Sequence, residues 1–92
     1  MTIRITSKML EQALKERLDA VEAIIQDVSG GCGNAFRCQV VSEKFANMNI
    51  LARHRLVNAA LKEEINNLHS FSQEDYTPEE WSKLQQNDSS KS

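Results

Sequence analysis

Asp27-Val28-Ser29-Gly30-Gly31-Cys32-Gly33-Asn34-Ala35-Phe36-Arg37-Cys38-Gln39-Val40-Val41 is the stretch that decides how this chain folds. Residues 29–34 hold all 3 of its glycines. Glycine reaches backbone conformations closed to other residues, so this segment reads as a tight turn with Cys32 at its tip. Beyond it, Phe36, Cys38 and Val40 alternate with Arg37, Gln39 and Val41, the period-two pattern of a strand with one buried face. Cys38 therefore points inward as a small apolar core residue. Before the turn, Val21, Ala23, Ile24, Ile25 and Val28 form a branched run that reads as a strand over residues 21–28. Two strands joined this closely pair antiparallel.

Toward the N-terminus, Thr6 or Ser7 can cap a helix over residues 7–19. Its Leu10, Ala13, Leu14 and Leu18 repeat at the three-to-four spacing of one buried stripe. Toward the C-terminus, residues 42–49 read as a polar connection to a long helix over residues 50–67. His54, Val57, Leu61, Ile65 and Leu68 share one side of it, and Arg53, Arg55 and Lys62 fall mostly elsewhere. His69-Ser70-Phe71-Ser72-Gln73 fits a short third strand with Phe71 inward. Thr77-Pro78-Glu79-Glu80-Trp81 marks a short last helix: Thr77 is its cap, Pro78 takes the first helical position and Glu80 closes the capping box. Trp81 and Leu84 lie one turn apart and are expected to dock it. Residues 86–92 lack apolar anchors and are expected to be a disordered tail after a single domain over residues 1–85.

The order helix, strand, strand, helix, strand, short helix predicts an α+β domain, a three-stranded mixed sheet with both long helices on one face. The second helix is a crossover, so the third strand returns parallel to the second. Parallel strands begin at the same end of a sheet. Cys32, just before the second strand, and His69, opening the third, are therefore brought to one edge.

At 92 residues the chain is one small domain with a thin core, which directs function to the surface. A net charge of -2 with 26% charged residues of both signs argues against electrostatic capture of polyanions. No apolar run is long enough to span a bilayer and no signal-type segment opens the chain, so an intracellular protein is expected. In such a compartment the 2 cysteines, Cys32 and Cys38, are expected to be free thiols.

Five segments taken together resemble the BolA family, in the branch that pairs with cytosolic and nuclear monothiol glutaredoxins. They are Asp27-Val28-Ser29-Gly30-Gly31-Cys32-Gly33, Phe36 with Val40-Val41-Ser42-Glu43-Lys44-Phe45, Arg53-His54-Arg55-Leu56-Val57-Asn58, Leu68-His69-Ser70-Phe71-Ser72, and Thr77-Pro78-Glu79-Glu80-Trp81. The resemblance implies a K-homology-like αββαβ domain acting as a non-enzymatic adaptor in the cytoplasm and nucleus. It also implies that Cys32 and His69 co-ligate a bridging [2Fe-2S] cluster, shared with a glutaredoxin cysteine and the cysteine of bound glutathione.

From the residues alone, a lone Cys-His pair reads as polar surface. A two-iron cluster needs four ligands, so two from this chain would require a partner to supply the rest. Such a site suits cluster trafficking or iron sensing, and sensing would add an iron-responsive regulator as a further partner. Arg53, Arg55 and Lys62 are expected to help dock the glutaredoxin, and His54 to be a packed or hydrogen-bonded histidine rather than a ligand. The other functional class is a nucleic-acid-binding regulator of K-homology type, because Gly30-Gly31-Cys32-Gly33 formally matches a glycine-x-x-glycine loop. That loop should join helices and carry basic residues; this one joins strands and carries none. Catalysis lacks a placed base, an acid pair or a phosphate-binding loop.

Overall fold

A computed structural model describes residues 4–30 and 34–91, the last five of these in backbone only. Helix α1 spans Ser7–Leu18, and Thr6 is its cap, its hydroxyl accepting from the Met9 N–H at 3.1 Å. It stops where Asp19 turns left-handed at φ 51° and donates its own N–H to the Leu14 carbonyl. Leu10, Ala13, Leu14 and Leu18 are buried, the stripe expected from their spacing.

Strands β1 (Glu22–Asp27), β2 (Ala35–Val41) and β3 (Ser70–Tyr76) form one sheet in the order β1-β2-β3. β1 and β2 are antiparallel, with Ala23 opposite Val40, Ile25 opposite Cys38 and Asp27 opposite Phe36. β3 runs parallel to β2, with Phe36 beside Phe71, Cys38 beside Gln73 and Val40 beside Asp75. One face of the sheet thus presents Ala23, Ile25, Phe36, Cys38, Val40 and Phe71. That row packs with Leu10, Leu14 and Leu18 of α1 and with Val57 and Leu61 of the second helical region, so both long helices cover the same face.

The connection from β2 is less polar in its role than in its composition. Ser42 is fully buried, its hydroxyl donating to the Leu18 carbonyl at 2.6 Å and accepting from the Lys44 N–H. It caps a single 3₁₀ turn, Glu43–Phe45, which delivers Phe45 into the core.

The expected helix over residues 50–67 is divided. Helix α2 covers Ile50–Ala60 and α3 covers Lys62–Asn66, with Leu61 between them at φ -110° and ψ 22°. Arg17 of α1 reaches across to donate to the Ala60 carbonyl at 2.7 Å and pairs with Glu64 at 3.0 Å. A side chain that takes a helix carbonyl interrupts the i to i-4 ladder, which accounts for the bend. Leu61 remains fully buried through it.

β3 begins at Ser70, one residue after His69, and runs on to Tyr76 rather than ending at Gln73. Helix α4 (Pro78–Lys91) is longer than the short helix expected, and takes in backbone assigned from sequence to the tail over residues 86–92. No glycine or proline follows Pro78 to stop it. The capping box forms as read: Thr77 N–H donates to Glu80 Oε1 at 2.9 Å, and Glu80 N–H donates to Thr77 Oγ1 at 3.2 Å. Trp81 docks against Tyr76, ring centroids 5.4 Å apart, whereas Leu84 is 40% exposed and is not the second anchor expected. No helix among the described residues is long and apolar enough to cross a membrane.

Candidate metal-ligand site

His69 lies in the short link between α3 and β3, held by its backbone. Its N–H donates to the Asn34 carbonyl at 2.7 Å, and the Ser70 N–H donates to the same oxygen at 3.2 Å. Asn34 is the last residue before β2, so the link into β3 and the return of the glycine-rich loop meet at one atom. The His69 side chain is exposed, and its imidazole makes no hydrogen bond or ion pair with the described residues. Cys32, the other expected ligand, lies outside the described residues.

The other margin of the loop is built by Asp27 and Val28. The Val28 N–H donates to the Ala35 carbonyl at 2.9 Å, one rung beyond β1. Asp27 Oδ1 accepts from the Ser29 N–H at 2.8 Å and from the Ser29 hydroxyl at 2.5 Å. Those two donors hold the Asp27 carboxyl below the usual carboxylate range. Gly30 then adopts φ 75°, a left-handed conformation that glycine takes without penalty.

Cys38 is no competitor as a ligand. It is free and fully buried, and burial, with the charge of Asp75 adding to it, pushes its thiol up to about 12. A thiol held protonated in a core is a poor metal donor.

Arg53, expected on a basic docking face, is instead turned inward. Its side chain is only 12% exposed and forms a bidentate pair with Glu80, at 2.7 Å and 3.1 Å. Its remaining donors go to the carbonyls of Met48 and Asp75, and its guanidinium lies 6.0 Å from the centre of the Phe45 ring. Helix position alone could not separate it from Arg55, two residues on. Arg55 and Lys62 are exposed and form no ion pair with the described residues, so the basic face is reduced to these two.

His54 is half-exposed, its Nε2 3.7 Å from Asp75 Oδ2. It faces β3, as its place on the inward side of the helix predicts. Asp75 was not singled out by the sequence reading, yet its side chain is only 2% exposed. Burial raises its carboxyl to about 6, an effect that His54 and Arg53 partly oppose. The signal available was alternation: Phe71, Gln73 and Asp75 share one face. Among the described residues no cluster of three or more His, Cys, Asp or Glu side chains could hold a metal ion.

The class these features define is a small α+β domain, a mixed three-stranded sheet covered by helices on one face, with an exposed histidine where the link into β3 meets the start of β2. The family model described as BolA-like protein matches residues 14–80, and the chain belongs to the BolA family. It is similar to Protein BOLA2 of Arabidopsis thaliana, 41% identical over 78 residues that make up 84% of each chain. Among solved structures it resembles a Bol-like protein from Babesia bovis, with a TM-score of 0.81 and 33% identity over 92% of this chain and 99% of the other. Yeast Fra2 matches with a TM-score of 0.72 and 38% identity over 89% of each. These relatives support a BolA-type role, and BolA proteins are in general regulators or adaptors rather than enzymes.

Proposed function

We propose that this protein is a non-enzymatic iron-sulfur adaptor of the cytoplasm and nucleus. It pairs with a monothiol glutaredoxin and contributes His69 and Cys32 to a bridging [2Fe-2S] cluster, in cluster trafficking or iron sensing. The observation that carries this reading is the Asn34 carbonyl accepting from both His69 and Ser70. Cys32 stands two positions before Asn34, and two peptide units span at most about 7 Å. Covalent reach thus keeps Cys32 within a short span of the backbone atom that holds His69, which supports pairing the two.

The donor set fits the group. Imidazole and thiolate are both cluster ligands, and a histidine in place of a thiolate raises a cluster's reduction potential and can be released by protonation. Two donors leave half the ligand positions to the partner, which are assigned to the glutaredoxin cysteine and the cysteine of glutathione. Of the three cations expected on the docking face, Arg55 and Lys62 form no ion pair with the described residues and can meet an acidic partner surface. An iron-responsive regulator would receive the signal if the complex serves sensing. Among the described residues the geometry weakens the nucleic-acid reading, since Arg53 is consumed internally.

The test is reconstitution with a monothiol glutaredoxin and glutathione under anaerobic conditions. A coloured one-to-one heterodimer is expected, with visible circular dichroism distinct from that of the glutaredoxin homodimer. His69→Ala should return the spectrum to the homodimer form. A His69→Ala complex with the wild-type spectrum and cluster lifetime would sink the assignment.

A further inference from the structure

A single guanidinium joins three helices. Arg17, in the last turn of α1, donates through Nη1 to the Ala60 carbonyl at 2.7 Å and to Glu64 Oε1 at 3.0 Å, while its Nη2 lies 3.0 Å from Glu64 Oε2. Ala60 closes α2 and Glu64 lies in α3, so this clamp spans the bend at Leu61 and ties both sides of it to α1. The Glu64 side chain is only 14% exposed, which shields the forked pair from water. Packing holds α3 less firmly than its neighbours: it contributes no fully buried side chain, and its Ile65 packs only in part against the core. Beyond the bend the chain is closed by short-range bonds. The Asn67 N–H donates to the Glu64 carbonyl at 3.0 Å, the Asn67 side-chain amide to the Glu63 carbonyl at 2.8 Å, and the Leu68 N–H to the Ile65 carbonyl at 3.0 Å. Residues 62–68 thus form a compact arm, and the next residue is His69. The arm is set at one end by Arg17 and at the other by the Asn34 carbonyl.

We propose that Arg17 is a positioning residue for His69, its guanidinium fixing the angle between α2 and α3 and with it the place at which the link into β3 presents the imidazole. This rests on the reading of His69 as a cluster ligand. Arg17 touches no iron; it acts through Ala60, Glu64 and the arm that follows them. Without it the Ala60 carbonyl is free to rejoin the helical ladder, α2 and α3 can straighten toward one helix, and the residue at the end of the arm is displaced. A ligand loses its effect when the groups that support it loosen, even though the ligand itself remains. Arg17→Lys keeps the charge but not the fork, so one ammonium cannot hold the carbonyl and both carboxylate oxygens in this geometry.

The experiment compares Arg17→Ala, Arg17→Lys, His69→Ala and Trp81→Ala in the reconstituted heterodimer with a monothiol glutaredoxin, and follows amide hydrogen exchange in each isolated protein. Trp81→Ala controls for stability alone, because Trp81 packs on Tyr76 at the opposite end of β3 from the link. Arg17→Ala should shorten cluster lifetime about tenfold, the lower end of what the loss of a ligand's supporting partners costs, and move the visible circular dichroism toward that of His69→Ala. In the isolated protein the His69 and Ser70 amides, both bonded to the Asn34 carbonyl, should exchange faster. Trp81→Ala should keep the wild-type spectrum and lifetime while lowering the thermal midpoint. If Arg17→Ala fails to fold, Arg17→Lys should give a smaller loss in the same direction, and wild-type behaviour there counts against the proposal. A wild-type spectrum and lifetime in Arg17→Ala, while His69→Ala loses its own, overturns the positioning role. An equal loss in Trp81→Ala overturns it too, since the effect would then be one of stability. If His69→Ala itself behaves as wild type, the shared-cluster reading is what fails; unchanged exchange at His69 and Ser70 in Arg17→Ala then overturns the role of Arg17 independently.

Discussion

Asp75 carries its carboxylate into the core-facing row of β3, where Val40 flanks it on β2 and His54 and Arg53 reach it from α2. Its folded pKa, about 6, stands above the ordinary value of 3.8. For an acid shifted upward, the stabilising contribution is present below 3.8 and lost as pH rises to about 6, so at neutral pH the charge is a burden. Two pKa units correspond to about 3 kcal/mol at most. Asp75→Asn, close in shape and uncharged, is therefore expected to raise the thermal midpoint at pH 8, with the gain fading by pH 4. Melts of both proteins across that range check it, and a difference independent of pH would refute the assignment. The Gln73 amide works against part of this shift: turned so that its nitrogen faces Asp75, it lies 3.0 and 2.7 Å from the two carboxylate oxygens and donates to the charged form. The inward place of this acid was legible only by carrying the alternation of Phe71 and Gln73 past the expected end of the strand. Polarity argued that the strand had ended at Gln73, and only the pairing of Val40 with Asp75 shows that alternation had continued. His69 was legible, because its place depends on strand order rather than on its own surroundings.

At the scale of elements, α4 is held by one carboxylate used twice. Glu80 closes the capping box with Thr77 and receives the Arg53 guanidinium, and Arg53 above all holds its carboxyl down at about 2. For an acid shifted downward, the contribution is present above the ordinary 4.5 and lost as pH falls toward about 2. Glu80→Gln should thus loosen α4 at pH 7 by a modest amount, since the group is largely solvated, and differ little from wild type near pH 2. Trp81 fluorescence on acid titration reads this directly; a gap that persists at pH 2 would rule it out. Arg53→Ala should cost more, about 2–3 kcal/mol, because it strands the Met48 and Asp75 carbonyls along with Glu80. Trp81→Ala, removing a partly exposed ring that packs tilted against Tyr76, should cost about 1–2 kcal/mol. The capping box was legible because it is written in five consecutive residues. The bend at Leu61 was not, since its cause, Arg17, acts from another helix and no glycine or proline marks the spot.

At the scale of the whole molecule, connection lengths made the topology legible. A short connection favours antiparallel pairing of β1 and β2, and a helical crossover returns β3 parallel. That strand order places β1 and β3 on opposite edges of the sheet and the link through His69 beside the return of the glycine-rich loop. Arg55 and Lys62 fall seven positions apart on the helical region leading to that link, near one another on its surface except for the bend between them. His69 follows Lys62 by seven more positions. A partner that reaches His69 with an acidic surface would pass these two cations. Arg53, two residues from Arg55, offers an internal comparison because it is spent on Glu80. Charge reversal at Arg55 and Lys62 should therefore weaken the proposed glutaredoxin heterodimer about tenfold at low salt, mainly through slower association, and flatten its dependence on ionic strength. The thermal midpoint should not move, as neither residue forms an ion pair with the described chain. Association rates by stopped flow at about 20 mM and about 200 mM salt, about threefold apart in screening length, decide the matter. Rates that match wild type at both salts would remove these cations from the interface and leave docking to the edge that carries His69.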